Sequence, residues 1–211
     1  MKKNTNALKP DTYYHIYNRG INGEPIFKEE RNYAYFLSLY AKHIESVADT
    51  YAYCLLSNHF HLLVKTKNAD EILLNRKQEA DNSEPVVLNK SASFNISNQF
   101  AKLFNSYTQA LNKSENRTGS LFESPFRRIE VTSDAYFSQL VCYIHQNPQK
   151  HGFVEDFRDY LHSSYHSHLL NISTKLKLAK VINWFGNAPL YQQFHNMKLD
   201  EKPIEKLVLN F

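Results

Sequence analysis

Glycine and cysteine are scarce in this chain of 211 residues, with five of the first and two of the second. With so few glycines, and with no GxGxxG or GxxxxGK[ST] string, the chain has no Gly-rich turn to cradle a dinucleotide or a nucleoside triphosphate. Cys54 and Cys142 make no secreted-type disulfide framework and read as small buried apolar residues. No apolar leader opens the chain. Its first ten residues, MKKNTNALKP, read as a short polar arm, so a reducing cytoplasm is the expected location. No apolar run approaches the roughly 20 residues that cross a bilayer, so no membrane association is expected. Aromatics, by contrast, are plentiful: 14 Tyr and 14 Phe. They fill cores, and on a surface they stack on bases. The net charge of +4 is mildly basic, which is compatible with a phosphate-backbone partner without requiring one. The length suits one ample core, or one domain with an extension.

Along the chain, YYHIYNRG (13–20) alternates apolar and polar residues and ends in a turn signal, which predicts a strand. Tyr33, Phe36, Leu37, Tyr40, Ala41 and Ile44 recur at helical intervals. TYAYCLLS and HFHLLVKT predict a hairpin around Ser57-Asn58. From Asn68 to about Ser93 the chain is polar and irregular; it reads as a flexible insertion with a weak helix over Glu71–Leu74. Ile96, Phe100, Leu103, Phe104, Tyr107 and Leu111 then share one helical face. A loop, the strand FRRIEV and a third helix follow, the helix capped by Ser133 or Asp134 and ended by Pro148. The order β-α-β-β-α-β-α predicts an α+β fold: a ferredoxin-like antiparallel sheet with helices on one face and the third helix nearby. A helical tail runs over 166–211, with two short helices around Gly186-Asn187-Ala188-Pro189. The expected division is a domain over 1–165 and an extension over 166–211.

The triplet His59-Phe60-His61 lies on a predicted strand, where residues two apart share a face. Imidazole is the commonest side-chain ligand of divalent transition metals, yet each His also fits an ordinary hydrogen-bonded role. Tyr143 and Asn147, four apart, share a face of the third helix. The amide of Asn147 offers a carbonyl oxygen and Tyr143 offers a phenol nucleophile. A core aromatic and a plain helix C-terminus are the alternatives. Arg19, Lys65, Lys113, Arg117, Arg127, Arg128 and Lys150 lie in or beside these segments, either as solvated charges or as a track for phosphates. Tyr13, Tyr14, Tyr107 and Phe122 read as core before they read as base-stacking platforms.

The segments YYHIYNRG, YAYCLLSNHFHLLVKT, FAKLFNSYTQALNKSENRTGSLFESPFRRIEV, YFSQLVCYIHQNPQKHGFV and FRDYLHSSY run in order from Tyr13 to Tyr165. As a set they resemble the HUH single-tyrosine transposases, in particular the REP-associated branch. The resemblance implies the HUH endonuclease fold, with a metal site of His59, His61 and Asn147 holding Mg²⁺ or Mn²⁺. It also implies that Tyr143 is a nucleophile that cleaves single-stranded DNA through a 5′-phosphotyrosine link, at hairpin-flanked sites. The implied partners are single-stranded or hairpin DNA, and a second copy of the chain if it is a homodimer. Other HUH nucleases, a hairpin-binding protein that does not transpose and a metal phosphoesterase are the neighbouring readings. Two departures stand out. Leu161-His162 precedes Ser163-Ser164-Tyr165 where the family often has Pro-Trp, and the stretch near 75–93 is longer than usual.

Overall fold

The computed structural model describes residues 7–79, 92–170 and 174–197. Four strands form one antiparallel sheet: β1 (Tyr13–Arg19), β2 (Ala48–Leu56), β3 (His59–Thr66) and β4 (Arg127–Glu130), in the order β2-β3-β1-β4. Helix α1 (Glu30–Ile44) connects β1 to β2, while α2 (Ala69–Glu79) and α3 (Ala92–Ser114) lie between β3 and β4. This is the expected ferredoxin-like arrangement.

Alternation along the strands divides the sheet into two cores. On one face Tyr14, Ile16, Leu55, Phe60, Leu62 and Val64 pack under α1 and α3. All six of the apolar positions expected on α3 are buried there. On the other face Ala52, Cys54, Leu56 and Leu63 pack under the third long helix, α4 (Asp134–Lys150). The tail helices α5 (Leu178–Phe185) and α6 (Ala188–Asn196) join that second layer through Val181, Phe185 and Tyr191. Residues on both sides of position 165 share this core, and the rings of Tyr165 and Tyr191 stack with centroids 5.5 Å apart. The outer edge of β2 is covered by the chain around 162–164: Leu55 N–H donates to His162 O (2.9 Å) and Ser164 N–H to Tyr53 O (2.9 Å). An edge closed in this way has no open ladder for another strand.

Two local expectations are corrected. Pro148 does not end α4, which runs on to Lys150. Proline removes one hydrogen bond, but Asn147 and Pro148 are buried, and His151 N–H still reaches Asn147 O (3.0 Å). The helix stops at Gly152, whose φ of 71° suits a left-handed cap. The stretch after β3 also holds more helix than Glu71–Leu74. Asn68 and Glu71 cap α2 reciprocally, each side chain accepting the other's backbone N–H at 2.9–3.0 Å, and Ile72 is buried. Residues 80–91, the bulk of the expected insertion, lie outside the described residues, as do 198–211 of the tail.

Candidate active site

The two-residue turn Ser57-Asn58 brings β3 back against β2. Ser57 O accepts the N–H groups of Ile26 (2.7 Å) and Phe27 (2.8 Å), and Asn58 O accepts that of Gly20 (2.9 Å). Gly20 is required here, because a Cβ would come within 2.0 Å of Glu24 O. The anchored turn holds His59 at the start of β3. His59 and His61 both face α4, while Phe60 is buried in the opposite core beneath α1 and α3.

The register β1–β3 sets His59 opposite Arg19 and His61 opposite Tyr17. Helix α4 crosses this face and brings Tyr143 to His61, edge-on with centroids 5.5 Å apart. Asn147, one turn later, is fully buried and donates from Nδ2 to Tyr143 O (3.2 Å). Its Oδ1 is buried without a hydrogen bond of normal geometry and lies near His59, where an acceptor favours the charged imidazole. The four side chains singled out in the sequence, distant along the chain, therefore meet at one buried spot.

Several neighbours were not visible in the sequence. Asn58 Oδ1 accepts from His59 Nδ1 at 2.7 Å, which leaves Nε2 as the lone-pair nitrogen of that ring. His15, fully buried on β1, sets its Nε2 2.9 Å from His61 Nδ1. Tyr17 stacks on His15 with centroids 4.7 Å apart. His151, just past α4, stands edge-on to His59 at 5.0 Å. The alternation Tyr13, His15, Tyr17, Arg19 was readable, but the pairing that joins it to β3 was not.

Burial dominates the protonation of these rings. It pushes His15 down to about 3 and His61 well below the usual imidazole value. It also lowers His59 to about 4, assisted by repulsion from His151 and Arg19 and opposed by Asn147. At neutral pH the cluster is thus uncharged, the form in which imidazole ligates a metal.

The cationic residues divide by position. Arg19 and Arg127 flank the histidine face and share Glu123, Arg19 through Nε and Arg127 at 3.3 Å. Burial pulls the Glu123 carboxyl up, but the two guanidiniums outweigh it and hold the group below the ordinary range. Lys150 Nζ sits over the Tyr143 ring, 5.5 Å from its centroid. Arg117 lies in the loop after α3, held by Asn112 (2.7 Å), and Lys113 is exposed in the last turn of that helix. Arg128 points to the other face, over the ring of Phe126 (3.8 Å), and lines a cleft of about 600 Å³ with Ser97, Asn105 and Gln109. Lys65 stands apart. It pairs with Asp11 at 2.6 Å and lies six residues along β3 from His59, about 20 Å away.

His162, at the position where the sequence departs from the resemblance, lies flat on Tyr33, with centroids 3.5 Å apart, and its Nε2 is 3.3 Å from Glu30. Leu161, beside it, is turned out to solvent. Among the described residues no helix is long and apolar enough to cross a membrane.

No family model matches the chain. A curated protein of Haemophilus influenzae named as a REP-associated tyrosine transposase is 26% identical over 118 residues, which are 56% of this chain. The match spans 59% of that relative's length. A solved structure of a REP-associated tyrosine transposase bound to a REP hairpin superposes with a TM-score of 0.57 at 16% identity, covering 80% of this chain and 85% of that one. The chain therefore shares the fold of that solved structure, and part of its sequence is similar to that curated relative.

Proposed function

We propose that the chain is a transposase-like enzyme that cuts and rejoins single-stranded DNA at hairpin-flanked sites, with Tyr143 as nucleophile and a divalent cation held by His59, His61 and Asn147. The observation that carries this reading is the meeting of those four side chains at one buried spot beside Arg19, Arg127 and Lys150. The similarity to a hairpin-bound transposase supports it.

The donor set fits a cation. His59 directs Nδ1 to Asn58, so its Nε2 is the ligating nitrogen, and Asn147 Oδ1 is a buried oxygen lacking a well-formed hydrogen bond. Among the described residues no three His, Cys, Asp or Glu side chains form a metal cage, so the Asn amide is needed as third ligand. Two imidazoles suit Mn²⁺ better than Mg²⁺, which prefers oxygen. When bound, the cation withdraws charge from the scissile phosphate.

The chain's own residues supply the rest. Arg19, Arg127 and Lys150 hold phosphates, with Glu123 giving up its arginines to the incoming DNA. Tyr143 Oη attacks phosphorus in line, and the bond to the 3′ oxygen breaks as the phosphotyrosine bond forms; the phenol gives up its proton and the leaving 3′ oxygen takes one up, so a free 3′-hydroxyl results. That link stores the phosphodiester energy, and a later 3′-hydroxyl attack returns it to DNA.

The test uses single-stranded oligonucleotides carrying hairpins from the DNA flanking the gene, with Mn²⁺ or Mg²⁺. A denaturation-resistant protein–DNA band should form in wild type and vanish in Tyr143→Phe and in His59→Ala. A band that survives Tyr143→Phe would overturn the nucleophile; no band on any hairpin in wild type with Mn²⁺ bound would overturn the enzymatic reading.

A further inference from the structure

Each of the two proposed histidine ligands has one ring nitrogen engaged by a neighbour, but the neighbours differ in kind. His59 faces an amide oxygen, which can only accept, so its proton is fixed on Nδ1. His61 faces another imidazole, His15, across 2.9 Å. Two neutral rings in such a contact share one proton, and either can be the donor. If His15 donates, His61 carries its own proton on Nε2, the nitrogen that a cation would have to take. If His61 donates from Nδ1, its Nε2 lone pair is exposed to the site.

We infer that His15 is the positioning residue of the proposed metal site, accepting the Nδ1 proton of His61 and so holding that ring in its ligating tautomer. The inference rests on the metal reading above. Its geometry is built from both sides of the contact. His15 is fully buried on β1, opposite Leu63 of β3 and two pairs along from the Tyr17–His61 pair. Tyr17 stacks on both rings, at 4.7 Å from His15 and 5.8 Å from His61, so neither can swing about its Cβ without displacing that phenol. Tyr143 closes the other side, edge-on to His15 at 6.4 Å and to His61 at 5.5 Å. Among the described residues His15 Nδ1 meets no protein acceptor or donor, so the contact with His61 is the one hydrogen bond of the ring there. A partner of this kind fixes ring orientation and raises ligand basicity without touching the metal.

The first test needs neither metal nor a variant. Nitrogen-15 NMR of the histidine rings in the wild-type protein at neutral pH reads the tautomer of His61 directly. The expected result is a proton on Nδ1 of both His59 and His61; a proton on Nε2 of His61 would overturn the inference. The second test is calorimetric titration of Mn²⁺. His15→Phe should weaken binding by about 10- to 100-fold, the usual loss on removing such a partner. His15→Gln, whose amide oxygen can still accept near the Nε2 position, should recover most of it. Equal affinity in wild type and a folded His15→Phe would also overturn the inference. Wild type that takes up no Mn²⁺ would instead remove the metal reading, leaving the tautomer result to stand or fall alone.

Discussion

Replacing His195 with glutamine should remove one buried-histidine contribution to the protein's sensitivity to mild acid. His195 on α6 belongs to a buried chain of hydrogen bonds whose direction is fixed by its ends. Its Nδ1 donates to Tyr191 O (2.7 Å), so its Nε2 accepts from His145 Nδ1 (2.8 Å). His145 Nε2 then accepts from Ser164 Oγ (2.7 Å), which itself accepts the N–H of Tyr53 (2.9 Å). Every link is satisfied with both imidazoles neutral, and a proton added to His195 Nε2 sets it against the Nδ1–H of His145, two donors face to face. Burial lowers His195 to about 4, with repulsion from His168 adding to it, and holds His145 well below its usual value. Because the folded pKa lies below the unfolded value of about 6.5, the unfolded chain binds more protons in acid. The stabilisation is whole above about pH 6.5 and is lost as pH falls toward 4. From His195 alone the loss is about 2 kcal/mol at pH 5 and about 3 kcal/mol below pH 4. In a chain of this size 2 kcal/mol corresponds to about 4–8 °C in Tm. The assay is thermal melting followed by circular dichroism at pH 7.5 and pH 5. The glutamine variant keeps an acceptor for His145 and cannot titrate. It should start about 1 kcal/mol lower at pH 7.5. Its fall in Tm between the two pH values should then be smaller than that of wild type by about 4–8 °C. An equal fall in both proteins would refute the proton order assigned to this network.

Three further outcomes follow from the site. Asn58→Ala removes the acceptor that fixes His59 and should weaken Mn²⁺ binding by about 10- to 100-fold in calorimetry, with little change in Tm. Gly20→Ala forces the backbone away from Glu24 O and should destabilise the fold by about 1–3 kcal/mol in denaturant titrations. In hairpin binding, Arg127→Ala should reduce the slope of log K against log salt by about one, while Lys65→Ala, far down β3 and paired with Asp11, should leave it unchanged.

The order of elements, the face of α3 and the meeting of His59, His61, Tyr143 and Asn147 were legible in the sequence because they follow from periodicity and from the motif set. The side of the sheet taken by α4 was not. It depends on Leu63, Cys54 and Leu56 offering a second apolar face, and the strands do not say which helix covers which face. Pro148 misled because burial of Asn147 and Pro148 outweighs one lost hydrogen bond. His15 and Asn58 were missed for different reasons. His15 reaches His61 only through the β1–β3 register, and Asn58 read as a turn residue when its side chain also orients a ring. The basic residues show the limit of reading charge along a chain: Arg19 and Arg127 converge, while Lys65 and Arg128, each within a few residues of a motif, point elsewhere.

The central claim is that Tyr143 forms the covalent bond to DNA. It is tested most directly by mass spectrometry of the adduct isolated after incubation with a hairpin-bearing single strand and Mn²⁺. After nuclease and protease digestion, a nucleotide 5′-phosphate should be found on the peptide that contains Tyr143, through its phenolic oxygen. A nucleotide on another tyrosine, such as Tyr136 or Tyr17, or on a serine, would contradict the account.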